Sequence, residues 1–163
     1  MGDNMKITKN LVLLQLMVTS IILADTYYTW PGIEVDKCAS VWLIKNFVDE
    51  DAEFKIVPKG DSVKGAIPFD IPHAEFSRKH GKTTFDTILE KYGFKDPALL
   101  RIANIVKDAE INVWAKKRME ETVGIQKIIY GLDESYEDDL DCLEASSIIF
   151  DALHRIYSRE TRK

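Results

Sequence analysis

Strand-like patterns of apolar and polar residues occur at three places in the first half of the chain. Residues 26–30 (TYYTW) are aromatic and β-branched and precede Pro31-Gly32, which predicts a strand followed by a turn. The alternation in residues 53–57 (EFKIV) predicts a second strand. Residues 66–69 predict a third, which Pro68 confines to an edge or a strand end. We therefore expect a small sheet of two or three short strands.

Helical periodicity and local cap signals dominate the rest of the chain. The signals for helix starts are, in chain order, Asp36 as a cap, the Thr83–Asp86 capping box, Asp96-Pro97, about Glu120, and Asp138 or Asp139. The predicted helix ends are about Asp49, Gly93, Tyr130 followed by Gly131, and about Ser158. The last helix is expected to bury Leu143, Ile149, Ala152, Leu153 and Ile156. This pattern predicts an α+β fold with about five helices packed on the small sheet.

The amino terminus has the pattern of an export signal. Lys6 and Lys9 precede a mostly apolar stretch, residues 11–24, which predicts a secretory signal peptide over 1–24 and a single mature domain over 25–163. Cleavage after Ala24 or after Ser20 fits the pattern, and a buried amino-terminal helix is the alternative. The stretch is shorter than a membrane span, so we expect an exported, periplasmic or secreted protein with no membrane contact after cleavage.

Composition and charge narrow the possible partners. The chain of 163 residues is 45% hydrophobic and 30% charged, which is typical of a folded domain. Without Lys6, Lys9 and Asp3 the mature chain has 20 basic and 26 acidic residues, a net charge of −6. Since an acidic surface repels phosphate backbones, we expect no nucleic-acid partner. Cys38 and Cys142 permit a disulfide in an exported protein, with buried free thiols as the alternative.

Two segments carry candidate binding chemistry. Residues 65–86 contain two of the three histidines, and imidazole with carboxylates suits zinc, iron or manganese. The candidate ligands in this segment are Glu75, His80 and Asp86, with Asp70 and His73 nearby; a solvated loop is the alternative. The second segment is the start of the first helix, where Asp36, Lys37 and Ser40 could hold a small inorganic anion, or merely form a helix start. A glycine-rich phosphate loop does not occur in the sequence, so we expect no nucleotide cofactor.

Three ordered segments resemble the chromate resistance family, which comprises the carboxy-terminal domain of the ChrB-type regulator and stand-alone chromate resistance exported proteins. The segments are VDKCASVWLIKNFVDEDAEFKIV, GAIPFD and AEFSRKHGKTTFDTILEKYGFKDPALLRIANIVKDAE. The resemblance implies a bacterial source and a contribution to chromate resistance. This chain departs from the family pattern at Lys37, Thr84 and Asp86, where relatives often have arginine, cysteine and glutamate, respectively.

The resemblance strengthens the interpretation of Glu75, His80 and Asp86 as metal ligands. Asp70 or Asp108 would complete this ligand set or orient its members. The first hypothesis is a metal- or oxyanion-binding domain that contributes to chromate resistance. The alternative is a metal-dependent enzyme that acts on an oxyanion by redox or acid–base chemistry. The sequence leaves the oligomeric state and the presence of catalysis open.

Overall fold

The computed structural model describes residues 24–161, so the predicted signal peptide lies almost wholly outside the described residues. Three parallel strands form one sheet in the order β2–β1–β3. The strands are β1 (Thr26–Thr29), β2 (Glu53–Ile56) and β3 (Ile67–Pro68). Tyr27 lies opposite Phe54 on one side and Ile67 on the other. The proline that cannot donate to a ladder therefore lies on an edge strand, as predicted.

Five α-helices accompany the sheet within residues 24–161, which confirms the predicted α+β fold. They are α1 (Val35–Leu43), α2 (Thr84–Tyr92), α3 (Pro97–Glu110), α4 (Thr122–Asp133) and α5 (Asp139–Glu160). A π-helical segment, Ile44–Val48, continues α1 before the chain enters β2. Because β1 and β2 are parallel neighbours, the helical connection between them must cross the sheet, and this crossover places the start of α1 at the carboxyl end of β1.

Short-range cap signals predicted most helix starts correctly. Thr83 Oγ1 accepts a hydrogen bond from Asp86 N at 3.1 Å while Asp86 Oδ2 accepts one from Thr83 N at 2.9 Å, which completes the capping box of α2. Asp96 and Asp138 accept from the amides of Ala98 and Leu140, both at 2.7 Å. Each of these contacts joins residues two or three positions apart.

Two predicted boundaries are wrong. Gly131 does not end α4, which continues to Asp133. Asp36 does not cap α1, because Glu34 occupies the cap position and Asp36 lies inside the first turn. Its side chain binds a different helix, as described below.

The main core lies between one face of the sheet and the helices α1, α3 and α5. Its largest fully buried side chains include Tyr27, Trp42, Phe69, Phe85 and Phe150. The prediction that α5 buries Ala152 and Ile156 is wrong, since both are exposed. The buried face of α5 is formed by Cys142, Leu143, Ser146, Phe150 and Tyr157. This face packs on α1, α3 and α4. Of the predicted residues, Leu143 is buried, and Ile149 and Leu153 are partly buried against the core.

Cys38 on α1 and Cys142 on α5 are both buried and unpaired. Burial raises the pKa of the Cys38 thiol to about 12, so this thiol is a poor nucleophile at neutral pH. Among the described residues, no helix is long and apolar enough to cross a membrane.

Candidate functional site

A cleft of about 580 Å³ opens at the carboxyl ends of the three strands. Its walls come from the segment after β1 (Trp30, Pro31, Gly32), from Lys59 after β2 and from residues 70–72 after β3. Parallel sheets commonly bind ligands at this edge, because loops and helix amino termini converge there. We call this feature the carboxyl-edge cleft.

Lys37 brings a buried positive charge to the carboxyl-edge cleft from the first turn of α1. Its side chain is 5% exposed, and Nζ donates to the carbonyl oxygens of Trp30 at 2.7 Å and Gly32 at 2.6 Å. The carboxylate of Asp70 lies 3.9 Å from Nζ. An ammonium group has three donors, so one N–H remains after the bonds to the two carbonyls.

Asp36 connects α1 to the start of α2. Its fully buried carboxylate accepts from Thr84 N at 2.8 Å and from Phe85 N at 2.9 Å. These amides are in the first turn of α2, where backbone donors have no partner within their own helix. Asp36 therefore caps α2 from a distance of 48 residues along the chain, and Ser40 lies behind it with Oγ 3.4 Å from Oδ1.

Arg78 joins the two sides of the cleft through carboxylates. Its Nε donates to Asp36 Oδ2 at 3.0 Å, and its Nη2 lies 3.2 Å from Glu110 Oε2 and in direct contact with Glu34. Glu110 also accepts from Val35 N, the first amide of α1, at 3.0 Å. The guanidinium thus ties the start of α1, the end of α3 and the loop before α2 together.

Burial and neighbouring charges shift the pKa values of the carboxyl groups in this cluster. Burial, followed by the nearby Asp36 charge, raises the pKa of Asp70 to about 6, although Thr84 Oγ1 donates to it at 2.7 Å. Burial also raises the pKa values of Asp36 and Glu110, against hydrogen bonds and the charge of Arg78. Such shifts are common where a protein binds or transfers protons and charged ligands.

The loop that carries Asp70 and Arg78 has unusual backbone geometry. Asp70, His73 and His80 have φ values of 53°, 68° and 54°, in the left-handed region that non-glycine residues rarely adopt. A loop with three such residues is held by its surroundings, and strain of this kind is frequent at binding sites.

The predicted metal ligands are placed apart in the described structure. Glu75 and His80 are exposed, and Glu75 pairs with Lys91 at 2.6 Å. Asp86 is engaged in the capping box of α2, and Asp70 faces Lys37 and Thr84 in the cleft. Within residues 24–161, no three His, Cys, Asp or Glu side chains are gathered as a metal-binding group. His73 is exposed on the same loop.

Asp108 lies at the junction of α3 and α4, away from the cleft. Its Oδ2 accepts from Arg118 N, Met119 N and Thr122 Oγ1 at 2.8, 3.1 and 2.8 Å. These bonds, together with one from Asn112, lower its pKa to about 2 in spite of burial. Asp108 therefore organises the loop between the two helices.

Of the predicted anion-binding residues, Lys37 lines the cleft, whereas Asp36 and Ser40 are fully buried behind it. Sequence reasoning missed Arg78, Glu34 and Glu110. Arg78 contacts residues 42 and 44 positions away, so no local spacing could have identified it.

The chain forms a small α+β domain whose parallel sheet carries a cleft with charged side chains at the carboxyl ends of its strands. The family model described as ChrB, C-terminal domain matches residues 27–157. The chain therefore belongs to the ChrB C-terminal domain family and is related to chromate resistance proteins. The resemblance inferred from the sequence segments is confirmed.

A curated relative is Protein ChrB of Cupriavidus metallidurans, which is 23% identical over 131 residues. The match covers 79% of this chain and 40% of that protein, so the chain spans less than half the length of this relative. No solved structure matched the chain.

Proposed function

We propose that this domain binds a small inorganic oxyanion of the chromate type in the carboxyl-edge cleft and thereby contributes to chromate resistance. The observation that carries the proposal is the convergence of Lys37, Lys59 and Arg78 on one cleft from three separate segments. Cations of this kind bind tetrahedral oxyanions through charge-assisted hydrogen bonds. Membership of the ChrB C-terminal domain family supports chromate as the relevant anion.

The surrounding carboxylates make this binding depend on protons. Glu34 and Asp70 line the cleft, and Asp36 and Glu110 lie behind it against Arg78. All four carboxylates oppose a bound dianion electrostatically when they are ionised. Burial raises the pKa of Asp70 to about 6, so this carboxylate takes up a proton as the pH falls through that value. Protonation removes one negative charge and supplies an O–H donor, so anion affinity should rise as the pH falls through about 6.

Calorimetric titration with sulfate at about pH 5 and about pH 8 tests this proposal, since the pH range brackets the pKa of Asp70 and sulfate stays a dianion throughout. We expect tighter binding at the lower pH, weaker binding by Lys37→Met, and retained binding by Lys37→Arg. Asp70→Asn should remove most of the pH dependence. Lys95→Ala, which changes an exposed lysine outside the cleft, is the matched control.

Chromate is then titrated under the same conditions. The proposal is wrong if wild type binds neither anion at millimolar concentration, or if Lys37→Met binds like wild type while remaining folded by circular dichroism.

An enzyme that acts on the oxyanion by acid–base chemistry is the second candidate, and the raised pKa of Asp70 favours it. A group that titrates near pH 6 can donate and accept protons under physiological conditions. Loss of chromate absorbance in the presence of a thiol reductant is the assay. Wild type should exceed Asp70→Asn and His80→Ala if this candidate is correct, and equal rates would exclude a catalytic role for both residues.

A divalent-metal site built from Glu75, His80 and Asp86 is a separate proposal, supported by the donor types in the loop. These side chains already have other partners or face solvent, so metal binding would require the loop of residues 70–82 to rearrange.

Export through a cleaved signal peptide is also a proposal, and it rests on the residue pattern of positions 1–24. Expression of the full chain in a bacterial host, followed by fractionation and amino-terminal sequencing, tests it. We expect mature protein outside the cytoplasm that starts at Asp25 or Ile21. An uncleaved chain in the cytoplasmic fraction would contradict export.

A further inference from the structure

An exposed aromatic knob projects from the loop between α3 and α4. Trp114 is 98% exposed and its neighbour Val113 is 55% exposed. Lys116 and Arg118 follow in the same loop, and both are exposed. A tryptophan this open is unusual for an isolated domain, because a large aromatic side chain contributes most when it is buried in a partner. We call Val113, Trp114, Lys116 and Arg118 the basic knob.

The basic knob is held in place by the residues behind it. Asp108 accepts from the backbone amides of Arg118 and Met119, and Lys117 Nζ donates to the carbonyls of Asp108, Ala109 and Asn112 at 2.8, 3.1 and 2.8 Å. These hydrogen bonds join residues 5 to 11 positions apart and fix the loop against the end of α3. A fixed loop presents Trp114 at little additional entropic cost on binding.

A complementary hollow lies at the start of α5. Its lining combines the apolar Pro31, Ile56 and Leu140 with the acidic Glu137, Asp138 and Asp139. The volume is about 260 Å³, and Leu140 is 37% exposed. We call this feature the acidic hollow. Its apolar and acidic lining residues are complementary in hydrophobicity and charge to an indole flanked by Lys116 and Arg118.

Within one chain the knob does not occupy the hollow, because Trp114 is 98% exposed. The knob precedes α4 and the hollow follows it, and the two ends of a 12-residue helix lie about 18 Å apart. A second copy of the chain has no such constraint. We propose that two copies of this chain associate by inserting the basic knob of one into the acidic hollow of the other.

The contact joins two different surfaces, the basic knob of one copy and the acidic hollow of the other. Two copies related by a two-fold axis can make it twice, and copies in any other arrangement extend into a ring or chain. The hollow also adjoins the carboxyl-edge cleft, since Pro31 lines both, and Asp139 Oδ2 accepts from Gly32 N at 2.8 Å. The proposal itself does not depend on what the cleft binds.

Sedimentation velocity from micromolar to millimolar concentration tests the proposal on the full chain. Wild type should associate with increasing concentration, and the association should weaken as salt is raised. Trp114→Ala and Leu140→Lys should each weaken association about tenfold or more. Ile148→Ala is the matched control, because Ile148 is 73% exposed but lies outside both surfaces.

Mixing the two variants gives the sharpest result. Trp114→Ala retains an intact hollow and Leu140→Lys retains an intact knob, so a mixture should form pairs that neither variant forms alone. Wild type that stays monomeric at every concentration overturns the proposal. So does a mixture that fails to pair, or a Trp114→Ala variant that associates like wild type. Capture of the monomer by anionic vesicles through Trp114, without self-association, would also overturn it.

Discussion

The substitution Asp36→Asn should destabilise the domain strongly. Both oxygens of this fully buried carboxylate accept from donors: Oδ1 from Phe85 N, and Oδ2 from Thr84 N and from Arg78 Nε. An asparagine has one oxygen and one NH₂ group. Whichever way the amide turns, its NH₂ group must face a donor.

The magnitude follows from the contacts that are lost. A buried donor left without a partner costs about 1–3 kcal/mol, and loss of a charged acceptor from a buried ion pair costs about 3–5 kcal/mol. The two costs overlap, because the amide can keep one set of contacts. We therefore expect about 3–5 kcal/mol and a melting temperature lower by about 10 °C or more.

Urea unfolding followed by circular dichroism measures the free energy, and amide hydrogen exchange at Thr84 and Phe85 reports the start of α2. Both amides should exchange faster in the variant. Ser40→Ala is the control, because its hydroxyl lies 3.4 Å from Asp36 and its loss should cost less than about 1 kcal/mol. An Asp36→Asn variant within about 1 kcal/mol of wild type, with unchanged exchange, would refute this reasoning.

Three further outcomes are expected. Asp70→Asn should raise the melting temperature at pH 8 and much less at pH 4, because a carboxyl group with a raised folded-state pKa of about 6 favours folding less as the pH rises from about 4 to 6. Asp108→Asn should destabilise the domain by about 2 kcal/mol near neutral pH, with a loss that shrinks as the pH falls toward 2, since the folded-state pKa of Asp108 is depressed to about 2. Tag-free protein should contain zinc, iron or manganese by elemental analysis if the proposed metal site is correct, and His80→Ala should lose the metal.

The features that could be predicted from the sequence depend on residues close together in the chain. The capping box of Thr83 and Asp86, the Asp96 cap and the edge position of Pro68 each follow from two to four neighbouring positions. Backbone stereochemistry acts at that range, so the residue types alone carry the information.

The arrangement of the cleft could not be predicted in the same way. Arg78 contacts Asp36 and Glu34 across more than 40 residues, and Glu110 contacts Val35 across 75. A spacing rule cannot identify such pairs, because the fold alone brings them together. The exposed Ile156 shows the same limit on a helix, where periodicity predicts that a face is apolar but not which neighbour covers it.

Asp36, Asp70 and Asp108 illustrate why residue type does not determine role. All three were candidate ligands, and all three side chains are shielded from solvent. Asp108 receives several hydrogen bonds and no close negative neighbour raises its pKa, so its pKa falls and it stabilises a loop. Burial and the nearby Asp36 charge raise the pKa of Asp70, because its single side-chain hydrogen bond from Thr84 does not offset them. Asp36 accepts from two backbone amides and Arg78, yet burial still raises its pKa. The balance of burial, donors and neighbouring charges decides whether a carboxylate stays ionised or can take up a proton, and that balance depends on tertiary structure.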